Sequence, residues 1–319
     1  MAKVTLQINL APLDARFAPL LLEHQMRQCG RFADEVLLTL DLRLPGRSLE
    51  LRDVWDKGAD DLMHVVQTYS ARYPNVRYEP VDLSDKVAAD MAVQLFGGRR
   101  VPQTDFRGRP FYAYFYGLYS AANDYVLHLD SDMMLGGGSS TWFDEAIAVL
   151  TERREIFTCS PFPGPPRADF RLTTQVGQPV PGQPDSYHFD TFSSRVYFVD
   201  RRNFRDKTPP RVTLPQRWRD VPRAAIFRRP MVGPAEDAVG SAMRRSGCRR
   251  LDFLGQSPGL WSLHPPYRSD RFYSMLPDLL EMVESGSVPD GQRGDYDLNE
   301  SVIDWSDAIA AHRAMRWHR

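Results

Sequence analysis

The sequence predicts an α/β protein built on a mostly parallel central sheet. Along the first third of the chain, short apolar segments with strand character alternate with longer segments of helical periodicity. This strand–helix order is typical of βαβ units, which form parallel sheets. A chain of 319 residues with 42% hydrophobic and 25% charged residues is long enough to bury a core as one large domain or two coupled lobes.

Val4–Leu10 alternates apolar and polar residues and is the first predicted strand. Glu35–Leu42 and Val76–Val81 are the next two. Helices are predicted between and after these strands, at 17–30, 59–73 and 83–96. Parallel sheets bind ligands at the carboxyl ends of their strands. Residues that follow strands, such as Asp41 and Arg43, are therefore candidate ligand contacts.

The second half continues with less regular spacing. An aromatic helix at 111–122, expected to pack in the core, leads into a strand that begins at Tyr125. Further predicted elements are a helix at 142–150, strands at 155–160, 192–200 and 251–254, a helix at 237–247 and C-terminal helices within 267–319 with a break near 286–294. Pro161–Ser186 is crowded with Pro, Gly and Gln and is predicted to be a long surface loop.

Asp130-Ser131-Asp132 follows the strand at Tyr125 and is the central motif of the chain. In an extended backbone, Asp130 and Asp132 point to the same side. Two carboxylates so placed favour a hard divalent cation such as Mg²⁺ or Mn²⁺, which commonly completes its shell with substrate phosphates. The alternative is a polar turn in which these side chains bond the backbone.

Three later features are candidates with equally plain structural explanations. Glu236 and Asp237 open a helix, where acidic residues stabilise the helix dipole. His264 lies between apolar residues and is followed by two prolines that restrict its backbone. The arginine-rich stretch 201–229 suits a solvated loop with paired charges, or the capture of an anionic acceptor or departing phosphate.

Composition limits the partners and the compartment. A net charge of -1 and a pI near 6.7 disfavour nucleic-acid binding. Cys29, Cys159 and Cys248 show no metal or disulfide spacing, and the N-terminus lacks signal-peptide features, so we expect a cytoplasmic protein. We expect the amphipathic stretch 305–317 to dock on the body of the protein or to lie on a membrane surface. The second alternative would place the protein at the inner face of the membrane.

In order and spacing, these motifs resemble the GT-A fold glycosyltransferases, close to the inverting group called family two. The matching residues are Gly117 and Ala122 in the aromatic helix, 127–132 (LHLDSD), 194–199 (SRVYFV), 235–237 (AED) ahead of 243–247 (MRRSG), and His264. The resemblance implies a GT-A type sheet of Rossmann-like βαβ units flanked by helices, with a C-terminal helical extension. It divides the chain into a nucleotide-sugar-binding half at 1–135, an acceptor-binding half at 136–265 and the extension at 266–319.

The resemblance also implies roles for individual residues. Asp132 and His264, with Asp130 beside the ribose or sugar, would hold the divalent ion. Asp237, next to Glu236, would be the general base. The remaining donor contacts that it implies are Asn9, Leu10, Ala11, Asp41, Arg43, Arg109 and Ser131. The expected donor is a nucleotide-diphosphate sugar, with UDP favoured, and the acceptor hydroxyl belongs to a glycan, a lipid-linked carrier or a small molecule.

Two other functions stay open. A sugar-nucleotide nucleotidyltransferase would need a Gly-rich, basic loop after the first strand, and the residues after Asn9 lack one. A non-catalytic glycan- or partner-binding module would not need the acidic residues and histidine that this chain retains. A metal-dependent inverting hexosyltransferase is the activity that the resemblance favours.

Overall fold

The structure is a computed structural model that describes residues 2–44, 52–215, 222, 224, 226 and 229–317, with the backbone alone for 314–317. Eleven strands are present in this part of the chain. They are β1 (Val4–Leu10), β2 (Glu35–Leu40), β3 (Val76–Pro80), β4 (Tyr125–Asp130), β5 (Met134–Gly136), β6 (Ile156–Pro163), β7 (Gln178–Val180), β8 (Gln183–Phe189), β9 (Val196–Asp200), β10 (Arg249–Phe253) and β11 (Trp261–Leu263).

The helices of the described residues follow most of the predicted positions. They are α1 (Ala18–Gln28), α2 (Arg52–Arg72), α3 (Asp85–Phe96), α4 (Tyr112–Ser120), α5 (Trp142–Glu152), α6 (Asn203–Asp206), α7 (Ala235–Arg245), α8 (Asp270–Ser285) and α9 (Ser306–Trp317). None of these helices combines the length and apolar character needed to cross a bilayer.

The strands form one large mixed sheet, which confirms the predicted α/β class. Its order is β3-β2-β1-β4-β9-β6-β10-β8-β7, and β11 joins β5 to β6 at one end. β3, β2, β1 and β4 pair in parallel, as expected for strands connected by crossover helices. Seven of the nine strands of this path run in one direction and β9 and β8 run against them, so four of its eight neighbouring pairs are antiparallel.

Helices cover both faces of the sheet. One core cluster packs α1, α2 and α5 against β1, whose Val4, Leu6, Ile8 and Leu10 side chains belong to it. A second cluster packs α3, α4 and α7 against the other face and contains the aromatic residues Phe111 and Phe115. The prediction that the aromatic helix belongs to the core is confirmed there. α8 covers a third cluster that includes Trp261 of β11.

The prediction that Pro161–Ser186 is a long surface loop is partly wrong. β6 runs on to Pro163, and β7 and β8 form a hairpin with Gly182 in the left-handed region at its turn, at φ +77°. Pro179 lies in β7, the edge strand of the sheet. An edge strand tolerates proline, which has no backbone N–H to donate. Proline, glycine and glutamine therefore marked an edge hairpin here.

The first arginines of the stretch 201–229 make contacts within the protein. Arg202 pairs with Asp200 at 2.7 Å, and Arg201 donates to the carbonyls of residues at the end of α4, so these arginines are structural. Arg217, Arg219, Arg223 and Arg228 lie outside the described residues.

α9 begins docked on the body, since Trp305 is buried and donates to the Leu298 carbonyl at 2.7 Å.

Candidate functional site

The carboxyl ends of three parallel strands meet at a cavity of about 530 Å³. We call it the donor cavity for the role that we propose for it. β1 lies between β2 and β4, and its Asn9 is paired in register with Thr39 on one side and Asp130 on the other. These three side chains line the donor cavity together with residues that follow the strands. The position agrees with the general rule for ligand sites of parallel sheets.

A polar network that begins in the sheet interior supports the cavity floor. Gln7 is fully buried and donates from Nε2 to Asn9 Oδ1 at 2.7 Å and to Thr39 Oγ1 at 2.8 Å. Its Oε1 shares a short hydrogen bond with Nδ1 of His128, and Nε2 of His128 lies 3.5 Å from Asp130 Oδ1. Buried networks of this kind hold their members in one arrangement. The Asn9 and Asp130 side chains are therefore presented to the cavity by the core itself.

The Asp130–Asp132 turn is held through its backbone. Gln25 of α1 donates to the carbonyls of Asp130 at 3.1 Å and Met133 at 3.0 Å. The Met133 amide donates back to the Asp130 carbonyl at 3.1 Å. Because these contacts satisfy the turn without its carboxylates, the Asp130 and Asp132 side chains remain available for other partners.

Arg268 is the partner of Asp132 and also of a second buried carboxylate, Asp14. Its Nε and Nη2 lie 2.8 and 2.7 Å from Asp132 Oδ2, and its Nη1 lies 2.7 Å from Asp14 Oδ1. Asp14 also accepts from the Ala11 amide at 2.8 Å. Burial raises the pKa of Asp14, while Arg268 opposes that shift. Arg268 thus lets two carboxylates stay close together at the end of the sheet.

His264 is oriented by the segment that follows α8. Its Nδ1 lies 2.8 Å from Asp297 Oδ1, and its ring stacks on Tyr296 with 6.0 Å between centroids. Backbone bonds to Tyr296 and Leu298 hold it on both sides. A carboxylate on Nδ1 leaves Nε2 as the free ring nitrogen, which is the arrangement that metal-binding histidines use.

A further part of the lining follows β2 and β3. It consists of Thr39, Asp41 and Val81, and Arg109 and Pro110 also line the cavity. Burial raises the pKa of Asp41, and Arg43 counteracts this with a guanidinium 3.6 Å from Asp41 Oδ2. Arg43 is absent from the described lining, so it acts on the cavity through Asp41.

A second cavity of about 380 Å³ adjoins the first at Arg195, which lines both. We call it the acceptor cavity for the role that we propose for it. Its wall includes Phe192 and Tyr296, and its floor carries a buried ion pair. In that pair, Arg250 Nε lies 2.7 Å from Asp252 Oδ1, and the Arg250 guanidinium stacks 4.2 Å above the Phe189 ring. Burial raises the pKa of Asp252 to about 6, against the opposing effect of Arg250.

The two acidic residues at the start of α7 are placed differently. Glu236 lines the acceptor cavity and accepts from Ser194 Oγ at 2.6 Å. Ser194 also bonds the Tyr114 hydroxyl, whose pKa is raised well above its usual range, chiefly by burial and further by Asp130. Asp237 is half-buried and is not among the described residues that line either cavity. Of these two acidic residues, Glu236 is therefore the one that lines a cavity in the described part of the chain.

The residues present fit a divalent ion that is shared with a substrate. Asp132 Oδ1 is buried and has no hydrogen-bond partner among the described residues, which is a costly state for a carboxylate oxygen. His264 Nε2 offers a second ligand on the same cavity. No group of three His, Cys, Asp or Glu side chains converges in the described chain, so water and diphosphate oxygens would supply the other ligands.

Most of the predicted site residues come together. Those that line the donor cavity are Asn9, Leu10, Ala11, Asp41, Arg109, Asp130, Ser131, Asp132 and His264. The sequence predicts no role for Asp14, Arg195 or Arg268, although Arg195 belongs to the matching segment 194–199. Arg268 had one available signal, since it lies four residues after His264 on the same post-strand segment.

Comparisons with known proteins give weak structural likeness. No protein-family model matches the chain, and no curated protein matches it. TarS residues 1–349 from S. aureus, also crystallised with UDP-GlcNAc, is 13% identical with a TM-score of 0.40, covering 81% of this chain and 60% of that one. LgtC is 11% identical with a TM-score of 0.37, covering 91% of this chain and 99% of that one.

A third similar structure is the mannosyltransferase PcManGT from Pyrobaculum calidifontis in complex with GDP-Man and Mn²⁺. It is 12% identical with a TM-score of 0.34, and the likeness covers 62% of this chain and 44% of that one. The chain thus spans less than two thirds of the TarS and PcManGT chains. TM-scores below 0.5 carry no conclusion about activity, so we argue function from the residues of the two cavities.

Proposed function

We propose that this protein is a metal-dependent glycosyltransferase that moves a sugar from a nucleotide-diphosphate donor to an acceptor hydroxyl. The observation that supports this best is the junction of two cavities at Arg195. One holds carboxylate and imidazole groups suited to a diphosphate-bound ion, and the other holds an acidic side chain. A donor and an acceptor bound in these cavities would meet at that junction.

In the donor cavity, the nucleoside is proposed to lie against Thr39, Asp41 and Val81. The diphosphate then points toward Asp132 and His264. These two side chains would hold the divalent ion, which when bound supplies Lewis-acid stabilisation of the leaving diphosphate. Arg268 orients the Asp132 side chain through its contact with Oδ2.

In the acceptor cavity, a carboxylate takes the proton from the attacking hydroxyl. Such a group is ionised at neutral pH and serves as a general base when it is within hydrogen-bond reach. We assign this role to Glu236 because it lines the cavity and is oriented by Ser194. The family resemblance gives the role to Asp237 instead. In either case we propose an inverting reaction, a single in-line displacement with no covalent intermediate.

Matched variants separate these assignments. Glu236→Gln and Asp237→Asn remove one charge each with little change in shape, and both should leave nucleotide affinity unchanged. We expect Glu236→Gln to lower transfer by 10²-fold or more, as for loss of a general base, and Asp237→Asn to lower it far less. The reverse pattern would assign the base to Asp237. Full activity in both variants would remove α7 from the mechanism.

Nucleotide binding tests the proposed function as a whole. Calorimetry with UDP, GDP, dTDP and CDP, each with and without Mn²⁺, should find one nucleotide whose affinity depends on the metal, and we favour UDP. Asp132→Asn should weaken that metal dependence, while Arg16→Gln on the surface serves as the control. Absence of metal-dependent binding by any of the four would contradict the proposal. Binding without any sugar transfer or donor hydrolysis would favour a non-catalytic binding module.

A further inference from the structure

An apolar groove of about 990 Å³ lies on the side of the molecule formed by α3 and the segment that follows it, and is here called the α3 groove. Apolar side chains dominate its lining, with Tyr112 at its base and Asp85 and Arg100 as its charged members. The main apolar contributors are Leu83, Ala92, Val93, Val101, Val212 and Val232. A groove of this character is unusual on a face that water alone contacts.

Apolar side chains on and near the rim face the solvent. Val93 is 64% exposed, and Leu83 and Val212 are each 38% exposed. Leu214, two residues beyond Val212, is 71% exposed. Exposed apolar area gains free energy when it is removed from water, so this rim favours contact with another apolar phase.

An arginine cluster flanks the C-terminal end of α3, beside the groove. Arg99 donates to the Phe96 carbonyl that ends the helix, and Arg245 donates to the Pro209 carbonyl at 3.1 Å. The pKa of Arg245 is lowered by burial and by the charges of Arg211, Arg99 and Arg244. Arg244 faces the connection between β8 and β9, since its Nη1 donates to the Asp190 carbonyl at 3.4 Å, so Arg99, Arg211 and Arg245 form the cluster. In the described part of the chain, none of these arginines has a carboxylate within ion-pair distance. They differ in this from Arg202, which pairs with Asp200 at 2.7 Å.

The nearby acidic groups do not neutralise this cluster. Asp85 lies on the groove wall in the first turn of α3, at the opposite end of the helix from Arg99. Asp90 accepts from the Tyr119 hydroxyl at 2.7 Å and faces α4. The C-terminal end of α3 therefore presents uncompensated positive charge beside exposed apolar side chains.

We propose that this face docks the protein on an anionic lipid surface, with the arginines against the headgroup phosphates and the apolar rim in the acyl boundary. Basic residues next to a modest apolar surface are the combination that interfacial binding requires. A nucleic-acid surface would add exposed aromatic rings for base stacking, whereas the aromatic residue of this groove, Tyr112, is 2% exposed.

The α3 groove and the donor cavity share one short segment of the chain. Tyr112 and Gln103 line the α3 groove, and the Tyr112 amide donates to the Gln103 carbonyl. The adjoining residues Arg109 and Pro110 line the donor cavity, and Pro110 bridges to Thr104 of the groove. A lipid surface at the groove would thus lie next to the segment 103–112, which contributes residues to both.

Vesicle flotation of the full-length protein tests the docking without any substrate. We expect binding to vesicles of phosphatidylglycerol and phosphatidylcholine, little binding to phosphatidylcholine alone, and loss of binding at high salt. The double variant Arg99→Glu/Arg245→Glu and the single variant Val93→Asp should each lower the bound fraction about tenfold or more. Arg99→Gln/Arg245→Gln is a milder variant that keeps the test valid if charge reversal impairs folding.

Matched controls lie on other faces. Arg31→Glu/Arg171→Glu reverses two exposed arginines, and Val54→Asp changes a valine that is 57% exposed on α2. Both controls should bind vesicles like the wild type, and circular dichroism verifies that each variant is folded. Equal binding to neutral vesicles, equal losses in controls and groove variants, or preferential binding of a DNA or RNA oligonucleotide would each overturn the proposal.

Discussion

Arg268 joins Asp132 and Asp14, two carboxylates that are 118 residues apart in the chain, through contacts of 2.7–2.8 Å. Both carboxyl groups are nearly inaccessible, whereas the Arg268 side chain is 38% exposed. The Arg268 guanidinium thus lies between the two carboxyl groups and the solvent at this end of the sheet. Its removal would leave two buried like charges facing each other.

We expect Arg268→Ala to destabilise the protein and weaken nucleotide binding. The loss of unfolding free energy should be about 1–3 kcal/mol, below the value for a fully buried pair because Arg268 is partly exposed. Urea denaturation measures the loss. Arg16→Ala, which removes a 2.6 Å pair with the exposed Asp270, is the matched control and should change stability by less than about 1 kcal/mol. Equal effects of the two variants would contradict the special position of Arg268.

Asp297→Asn should lower the affinity for Mn²⁺ in the presence of nucleotide. A carboxylate that orients a histidine ligand typically contributes about 10–100-fold to metal affinity. Electron paramagnetic resonance of free Mn²⁺ during titration measures this directly. Asp295→Asn, a nearby change at a residue that bonds Thr174 instead of His264, is the control. Unchanged Mn²⁺ affinity in Asp297→Asn would remove His264 from the proposed ligand set.

The acceptor cavity should select a neutral, polyhydroxylated acceptor segment over a phosphorylated one. Its charged lining has two arginines, Arg195 and Arg250, against the carboxylates of Glu236, Asp252 and Asp297, so an anion gains no net attraction there. Saturation-transfer NMR with methyl glycosides and sugar alcohols should show contacts in the presence of UDP and Mn²⁺. Sugar phosphates and uronic acids serve as the comparison. Stronger signals from the anionic compounds would contradict this selectivity.

Asp252 should make stability fall as pH rises from about 4 to 6. Burial raises its pKa to about 6, so the folded state binds a proton that the unfolded state has already lost in this range. The stabilisation is complete below pH 4 and is lost above pH 6, a change of about 3 kcal/mol. Urea unfolding at pH 4.5, 5.5 and 7 compares the wild type with Asp252→Asn. The variant should lack this part of the pH slope, and an identical slope in both proteins would disprove the assignment.

Gly117→Ala should be poorly tolerated, in contrast to Gly240→Ala. A Cβ at Gly117 would lie 2.4 Å from Gln7 Cδ, whereas one at Gly240 would meet its nearest atom at 3.4 Å. We expect a loss of about 1–3 kcal/mol for Gly117→Ala and no loss or a gain of up to about 1 kcal/mol for Gly240→Ala. Thermal denaturation measures both. Since Gln7 bonds Asn9, Gly117→Ala should also lower nucleotide affinity, and retained affinity would show that the Gln7 network is dispensable.

Local patterns in the sequence predict the strands and helices of the first half because each follows one clear period. β1 matches its predicted range of Val4–Leu10, and α4 and β4 follow where the aromatic run and the Tyr125 strand predict them. The general location of the site also follows from sequence, since residues after parallel strands must gather at one edge of the sheet. That reasoning brought Asn9, Asp41 and Asp132 to the same cavity.

The parts of the site that the sequence does not predict depend on tertiary contacts, which leave no local pattern in the sequence. The pairing of Asp14 with Arg268 joins residues 254 positions apart, and Arg195 gains its importance only from lying between two cavities. Glu236 and Asp237 are equivalent as sequence, and only the direction of their side chains from α7 separates them. In the β7–β8 hairpin, prolines at an edge strand imitate the composition of a loop.

Arg195 has a consequence for substrate binding by the enzyme that we propose. A single side chain that borders two compartments couples them thermodynamically, because any ligand that repositions it in one compartment alters affinity in the other by the same factor. Its carbonyl also accepts from the Asp130 amide at 2.7 Å, so the backbone around it is tied to the donor side. We therefore expect the nucleotide sugar to change the affinity for the acceptor, and the acceptor to change the affinity for the nucleotide sugar by the same factor.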